Sequence, residues 1–427
     1  MGTLFCGIKS GYMGRKKTVL ITQAVAFLGA LCIVFAKTVT LFCIGNFLAG
    51  YTNSVFMGVA PIYTSEINQP KIRKFTGSFL ANSFFLGLAL TYLVGWLSTW
   101  KVAAYIQTIW PCIIFVFLLF CPESPTWLIV NGRHDLARET LIQLRGDEEV
   151  AMQELSRIKD NLEKQKLGTT ENIQSTYARD QLKLVTKGTF VRPCLVVTIL
   201  MAMCWPWTGG MSIQFYTPDL LKKFEIPADQ YLASTALGCY QLLCGLCGIL
   251  ISSLVPRRKF YIFSGICIFI GSFMLATIVH LRRYAFFVDT LNESTTLRWI
   301  PVIALLVYFA GYSTGYVSIG FMLLGELLPS NAREMGSFLI NQCTNISLII
   351  LIKFVPDLQE VLGLDGLFCL FSGIAVFSII FAYFCIPETF GKSLEEIEEH
   401  YRTICYSNHL RNSNKVPENI NLSYVSD

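Results

Sequence analysis

Long apolar runs dominate this sequence and limit what it can fold into. A helix needs about 20 predominantly apolar residues to cross the hydrocarbon core of a bilayer. Runs of that kind begin near Thr18, Val39, Phe75, Val102, Pro193, Ala228, Phe260, Ile300, Gly336 and Gly366. With 53% hydrophobic and only 15% charged residues, the chain is too apolar for a soluble domain. The sequence therefore predicts an all-α membrane protein with about ten full spans.

Basic residues are concentrated in every second loop between these runs. They occur at residues 15–17, 71–74 and 257–259, at Arg333, and in the long segment 121–192. The positive-inside rule places these loops in the cytoplasm, although three arginines in the 281–298 loop run against the trend. The net charge of +5 thus reflects membrane topology, and no nucleic-acid partner is expected.

Four regions are expected along the chain: an incomplete N-terminal transmembrane bundle (1–120), a cytoplasmic loop with amphipathic helices (121–192), a C-terminal transmembrane bundle (193–390) and a cytoplasmic tail (391–427). Asn292, in the sequence NES, lies in a loop that this topology places outside the cell. It is therefore a candidate glycosylation acceptor.

Cysteines and histidines do not indicate a metal site or a cofactor. Most of the 15 cysteines lie in apolar runs, where they behave as small hydrophobic residues, and this includes the one CxxC pair, Cys244 and Cys247. The 4 histidines are scattered along the chain. The loops contain no recognisable nucleophile with a base and an orienting group, so an enzyme is not expected.

Three sequence elements recur in the same order in the two halves of the chain. A basic turn, MGRKK in one half and PRRK in the other, precedes a glutamate placed seven residues before an arginine. These pairs are Glu66 with Arg73 and Glu326 with Arg333. Each pair is followed by a proline-flanked acid, PESP at 122–125 and PET at 387–389. We interpret the chain as a duplicated six-span unit.

Charges at helix ends are usually solvated anchors when they are considered singly. Their repetition favours a second interpretation, in which acids and bases pair when the cytoplasmic ends of the two halves approach and separate when the halves part. Such pairs would bias an alternating-access equilibrium.

These motifs resemble those of the sugar porter family of the major facilitator superfamily, and most closely its insect facilitated trehalose transporter-like members. The resemblance extends from about Gly7 to Ile397 and rests on GRKK, PIYTSEI, PESPTWLIVNGRHDLARETLIQLRG, PRRK, GELLP and PETFGKSLEEI. It implies the major facilitator fold, with two six-helix bundles that rock about a central sugar site. Compared with that plan, the first helix and most of the second are absent, because only the eight residues MGTLFCGI and a short polar turn precede the first basic cluster.

The resemblance also assigns a cytoplasmic gate. The family acids of the two basic turns correspond to Gly11 and Ser253, and two family arginines correspond to Asn46 and Thr126. The gate residues that remain are Arg15, Lys16, Glu66, Arg73, Glu123, Arg133, Arg257, Arg258, Glu326, Arg333 and Glu388.

The presumed substrate site is altered more severely. Family amides correspond to Ala81, Trp205, Pro206 and Met211, and loss of these hydrogen bonds should weaken hexose binding. The polar and aromatic candidates that persist are Asn82, Thr208, Tyr216, Gln241, Phe321, Asn341 and Asn345. An alternative role for each polar residue among them is an interhelical hydrogen bond that holds the bundle together.

The leading hypothesis is a facilitative transporter, or uniporter, of a sugar or a sugar-like small solute in the plasma membrane. No acid lies deep within a span, which disfavours proton coupling. The alternative is a non-transporting protein, either a truncated pseudo-transporter or a membrane sensor. The expected partners are the solute and the lipid bilayer, and the oligomeric state is left open.

Overall fold

A computed structural model describes residues 13–68, 70–166, 191–252, 254–282, 297–328 and 333–389. Within these ranges the chain is helical and contains no strand. Residues 1–12, the tail from 390 onward and Asn292 lie outside the described residues. The four regional boundaries drawn from the sequence therefore stay predictions.

The first half contains four long helices. Helix α1 begins at the first basic turn, and it packs against both α2 and α4. The bounds of α1 to α4 are Arg15–Val34, Val39–Ile67, Pro70–Leu97 and Trp100–Phe120.

Three short helices follow, with the bounds Pro125–Val130 (α5), His134–Arg145 (α6) and Glu148–Lys166 (α7). They share a small hydrophobic core that includes Trp127, Leu141 and Leu155. Arg145 forms two hydrogen bonds of 2.6 and 2.8 Å to the Glu154 carboxylate. Its third hydrogen bond goes to the carbonyl oxygen of Ile67 at the end of α2, so the short helices are attached to the membrane bundle.

The second half begins with one interrupted span, Cys194–Lys223. This span is formed by helix α8, a π-helical turn, the very short helix α9 and helix α10. Five longer helical segments and a second π-helical turn follow it in the described residues. The bounds of all these elements are Val191–Thr198 (α8), Ile199–Cys204 (π), Trp205–Trp207 (α9), Gly210–Lys223 (α10), Gln230–Ser252 (α11), Arg257–Leu281 (α12), Ile300–Gly311 (α13), Tyr312–Tyr316 (π), Val317–Leu327 (α14) and Arg333–Cys385 (α15).

Eight helices among the described residues are long and apolar enough to cross a membrane. The last of them, in α15, is two helices joined at Gly363, where φ is +74°. Helix α3 contains a shorter apolar stretch, Asn82–Leu97. The predicted all-α fold is confirmed, with eight candidate membrane spans among the described residues.

Buried tyrosines form the centre of the second half. Tyr308, Tyr312 and Tyr316 succeed one another along the span Ile300–Leu324, and their rings stack at centroid distances of 6.1 and 6.5 Å. Tyr261 of α12 stacks on Tyr316 at 4.7 Å. Gly210 allows this arrangement, since a Cβ atom there would lie 2.0 Å from the Tyr312 ring.

The two halves meet where α3 packs against α11. Asn82 is buried against Gly245, and Tyr92 and Ala89 pack against Gly238. The Tyr92 hydroxyl group donates a hydrogen bond to the backbone carbonyl of Gln214 in α10. Glycines on α11 thus bring the two helices close together.

Gly248→Ala tests a second close contact of α11, with the Tyr312–Tyr316 turn of the same half. A Cβ atom at Gly248 would lie 2.1 Å from the backbone carbonyl oxygen of Thr314. Because that oxygen belongs to the main chain and cannot rotate away, we expect a loss of about 1–3 kcal/mol, as for other overpacked cores. Thermal unfolding in detergent measures the change. The control is Gly373→Ala, since a Cβ atom at Gly373 has open space around it. An unchanged melting temperature for Gly248→Ala would contradict the packing.

Candidate functional site

The first basic turn is capped by a carboxylate from the loop between α4 and α5. Glu123 Oε1 accepts hydrogen bonds from the backbone N–H groups of Lys16, at 2.9 Å, and Ser124, at 3.1 Å. Gly14 has φ +93°, and a Cβ atom there would lie 2.5 Å from Glu123 Oε2. The carboxylate therefore occupies the N-terminus of α1, where unpaired N–H groups and the helix dipole favour negative charge.

A buried ion pair lies beside this cap. Arg15 Nε is 3.3 Å from Glu66 Oε2, and the two side chains are only 13% and 12% exposed. Ser124 Oγ donates to the same oxygen at 2.5 Å. Glu66 thus joins the start of α1, the end of α2 and the loop before α5.

The second basic turn repeats the first arrangement. Glu388 accepts hydrogen bonds from the backbone N–H groups of Arg257, at 2.9 Å, and Arg258, at 3.3 Å, at the start of α12. The Arg258 guanidinium group lies 4.8 Å from the centroid of the Tyr383 ring and also donates to the Tyr383 carbonyl. The proline-flanked acids recognised in the sequence therefore have the same structural role in both halves.

The remaining gate residues are less fully described. Arg133 lies over the Trp127 ring at 5.8 Å, within the short helices. The side chains of Arg73, Glu326 and Arg333 lie outside the described residues. The contacts given above join elements of the same half, so pairing of acids and bases across the two halves stays a prediction.

Two buried amides face each other in the second half of the chain. Gln214 Nε2, on α10, donates to Gln241 Oε1, on α11, at 2.6 Å. Gln214 Oε1 and Gln241 Nε2 are also buried and have no hydrogen-bond partner in the described part of the chain. Turning both amide groups over would leave the same combination of one free acceptor and one free donor. Such a pair can bind a hydroxyl group, which both accepts and donates.

Gln241 was predicted from the sequence as a substrate-binding residue, whereas Gln214 was not. In the family pattern the amides of this helix fall at positions that are Trp205, Pro206 and Met211 here, so the pattern does not predict Gln214. A signal for Gln214 was nevertheless present, since it is a polar residue at membrane depth in a largely apolar segment.

Aromatic residues line the interrupted span near its helix breaks. Trp205 packs edge-on against Phe321, with ring centroids 5.5 Å apart. Trp207 Nε1 donates to Ser347 Oγ in α15 at 2.8 Å. Phe321, on α14, is therefore in contact with the interrupted span through Trp205.

The other predicted substrate residues fall into two groups. Thr208 is completely buried, its Oγ1 donates to the Trp205 carbonyl at 3.0 Å, and its own carbonyl accepts from Tyr308. These contacts are structural, and Asn82 is similarly buried, against Gly245. Tyr216 and Asn345 are exposed, and Asn341 is half-buried.

Comparisons with known proteins agree on the kind of protein. The family model described as "Sugar (and other) transporter" matches residues 1–401. The chain is 25% identical over 402 residues to a facilitated trehalose transporter Tret1-2 homolog of Drosophila simulans. The aligned region covers 93% of this chain and 79% of that relative. It is 26% identical over 409 residues to the facilitated trehalose transporter Tret1 of Apis mellifera ligustica, with 94% and 78% of the two chains covered.

Solved structures agree on the fold. The proton:xylose symporter XylE bound to 6-bromo-6-deoxy-D-glucose superposes with a TM-score of 0.75 at 19% identity, covering 94% of this chain and 86% of the other. An inward-open structure of XylE from E. coli gives a TM-score of 0.72 at 18% identity, with coverage of 93% and 85%. At this level of identity the likeness concerns the fold alone.

The two capping glutamates provide a test of the repeat. Glu123→Ala and Glu388→Ala each remove the acceptor from a helix N-terminus, so we expect each to lower stability by about 1–2 kcal/mol. Thermal unfolding in detergent measures both, and Glu139→Ala, at an exposed position of α6, is the control. The interpretation would be wrong if only one glutamate mattered, or if both variants behaved as the control does.

Proposed function

The chain belongs to the sugar transporter family, and on that basis we propose that it moves a sugar or a sugar-like small solute by facilitated, alternating-access transport. As a member of this family it is a multi-pass membrane transporter and not an enzyme. Trehalose is the first solute to test, because the relatives reported above are facilitated trehalose transporters.

The amide pair is the observation that carries this proposal. Sugars present many hydroxyl groups, and each can accept a hydrogen bond from Gln241 Nε2 while donating one to Gln214 Oε1. A buried polar atom without a partner is costly, so a solute that satisfies both atoms is favoured over one that cannot. Trp205 and Phe321 add aromatic surface against which the apolar face of a sugar ring can pack.

The Gln214–Gln241 pair is also linked to the first half of the chain, so movement of one half against the other would change its contacts. Tyr92, in the first half, donates to the backbone of Gln214, and Gln214 holds Gln241. Rocking of one half against the other would break the Tyr92 contact and open the amides to one side of the membrane. The charged clusters at the start of α1 and α12 lie at the end that the positive-inside rule assigns to the cytoplasm.

Removing one amide should reduce transport selectively. For Gln241→Ala and for Gln214→Ala we expect KM for trehalose to rise by about 5- to 150-fold, since a lost hydrogen bond costs about 1–3 kcal/mol. Initial rates of radiolabelled uptake measure the change. The control is Asn46→Ala, because Asn46 is an exposed amide whose hydrogen bond goes to Phe42 of its own helix.

Surface biotinylation must accompany these assays, because it separates loss of transport from loss of delivery. We propose that the protein resides in the plasma membrane, where the uptake is measured. If the wild-type protein reaches the surface and shows no saturable uptake of trehalose or of a panel of hexoses, the transport proposal is wrong. A non-transporting sensor would then be the better explanation.

Uptake should not depend on a proton gradient. The carboxylates in the described spans lie within about two turns of a helix end, as Glu66, Asp219 and Asp357 illustrate, so none is at mid-membrane depth. We expect a protonophore to leave the initial rate of trehalose entry unchanged. A rate that follows the imposed pH gradient would contradict the facilitated mode while leaving transport itself intact.

A further inference from the structure

Pro218 interrupts the backbone hydrogen bonding of α10 beside the amide pair. It lies inside the helix Gly210–Lys223 and has no N–H group. In a regular α-helix the N–H group at position 218 would donate to the carbonyl oxygen of residue 214. Helix α10 therefore cannot supply the usual donor to the backbone carbonyl of Gln214, the residue whose side chain donates to Gln241.

The missing donor comes from the other half of the chain. The Tyr92 hydroxyl group, on α3, donates a hydrogen bond to the Gln214 carbonyl. Thr217 lies within hydrogen-bonding reach of the same hydroxyl group, and Thr217 Oγ1 donates to the carbonyl of Ile213 at 2.7 Å. Tyr92 thus contacts α10 at the point where Pro218 leaves the helix short of a donor.

The Tyr92 ring packs against α11 on its way to this contact. A Cβ atom at Gly238 would lie 2.9 Å from Tyr92 Cδ2 and 3.1 Å from the Cα atom of Ala89. Glycine at position 238 therefore leaves the room that the ring occupies. The ring packs on the helix that carries Gln241, and its hydroxyl group reaches the helix that carries Gln214.

A carbonyl freed by proline is not filled in this way elsewhere in the described spans. Pro111 in α4 and Pro356 in α15 remove the helical donors of the Gln107 and Ile352 carbonyls. No side chain among the described residues donates to either of these two carbonyls. The Tyr92 contact is therefore specific to the amide site, and it is not a general consequence of proline in a membrane helix.

Loss of the Tyr92 hydroxyl group would affect the Gln214 side chain as well as its backbone. A buried carbonyl oxygen without a donor is costly, so the backbone of α10 would adjust to find one. Such an adjustment moves the amide group, because the amide and the carbonyl belong to the same residue. Hydrogen bonds weaken steeply as their angle departs from linearity. The alignment of Gln214 with Gln241 therefore depends on Tyr92.

We propose that Tyr92 and Pro218 together position the solute site. Pro218 frees the Gln214 carbonyl, and Tyr92 holds that carbonyl so that the Gln214 amide stays aligned to bind a solute hydroxyl group. Tyr92 is a positioning residue and does not itself contact the solute. The inference rests on the proposed function for the role of the amides, whereas the coupling of Tyr92 to Pro218 can be measured without transport.

Thermal unfolding in detergent measures this coupling. Tyr92→Phe removes only the hydroxyl group, and we expect it to lower the melting temperature by about 1–3 °C. Pro218→Ala restores an N–H group to α10, so the same change at Tyr92 should have a clearly smaller effect in the Pro218→Ala background. The control is Tyr105→Phe, at an exposed position of α4, which should leave the melting temperature unchanged. Equal effects of Tyr92→Phe in the two backgrounds would overturn the coupling.

Uptake measures whether the coupling serves the solute. For Tyr92→Phe we expect KM for trehalose to rise about 2- to 10-fold, as for the loss of one hydrogen bond, with little change in the maximal rate per molecule at the surface. In the Pro218→Ala background the same change should leave KM nearly unaltered. This rescue separates positioning from a merely structural role, because lower stability would reduce the amount of surface protein and would not alter KM.

Failure of this inference is distinct from failure of transport. Saturable uptake with an unchanged KM in Tyr92→Phe would overturn the positioning role and leave the proposed function intact. A wild-type protein without saturable uptake would overturn the proposed function and, with it, the role of Tyr92 toward a solute. The unfolding experiment would still decide whether Tyr92 replaces the donor that Pro218 removes.

Discussion

Hydrocarbon contains no hydrogen-bonding partners, so every polar group of a membrane helix needs a partner inside the protein or at the bilayer surface. This constraint explains where the charged and polar residues of the chain lie. The free N–H groups at the starts of α1 and α12 are met by Glu123 and Glu388. The hydroxyl groups of Tyr261 and Tyr316 both meet Ser378. Buried polarity is therefore paired in most of the described structure, which makes the unpaired groups informative.

Buried polar atoms without a hydrogen-bond partner in the described part of the chain include Gln214 Oε1 and Gln241 Nε2, together with Ser212 Oγ and Ser264 Oγ. The free atoms of Gln214 and Gln241 lie in a densely packed part of the second half, beside the contact with Tyr92. A solute hydroxyl group, which both accepts and donates, would match this free acceptor and free donor.

Structural features that follow from a pattern along the chain could be predicted from the sequence, whereas contacts between distant residues could not. The spans follow from the length of apolar runs, and the repeat of Glu123 and Glu388 follows from motif order, because both patterns extend over many residues. The pairing of Gln214 with Gln241 depends on the distance between α10 and α11, which no local pattern encodes. Thr208 shows the same limit, since its carbonyl is occupied by Tyr308, one hundred positions away. Its burial makes it part of the scaffold.

The strength of contacts within and between halves suggests how the molecule can move. Glu123 caps the basic turn of the first half, and Glu388 caps that of the second. In the first half the ion pair between Arg15 and Glu66 adds a largely buried contact. Breaking such contacts is costly because a charge would be left without its partner. Between the halves, α3 packs closely on α11 at Gly238 and Gly245, and the Tyr92 hydroxyl group of α3 donates to the Gln214 carbonyl of α10. The amide pair lies beside this interface, so movement of one half against the other would change the surroundings of Gln214.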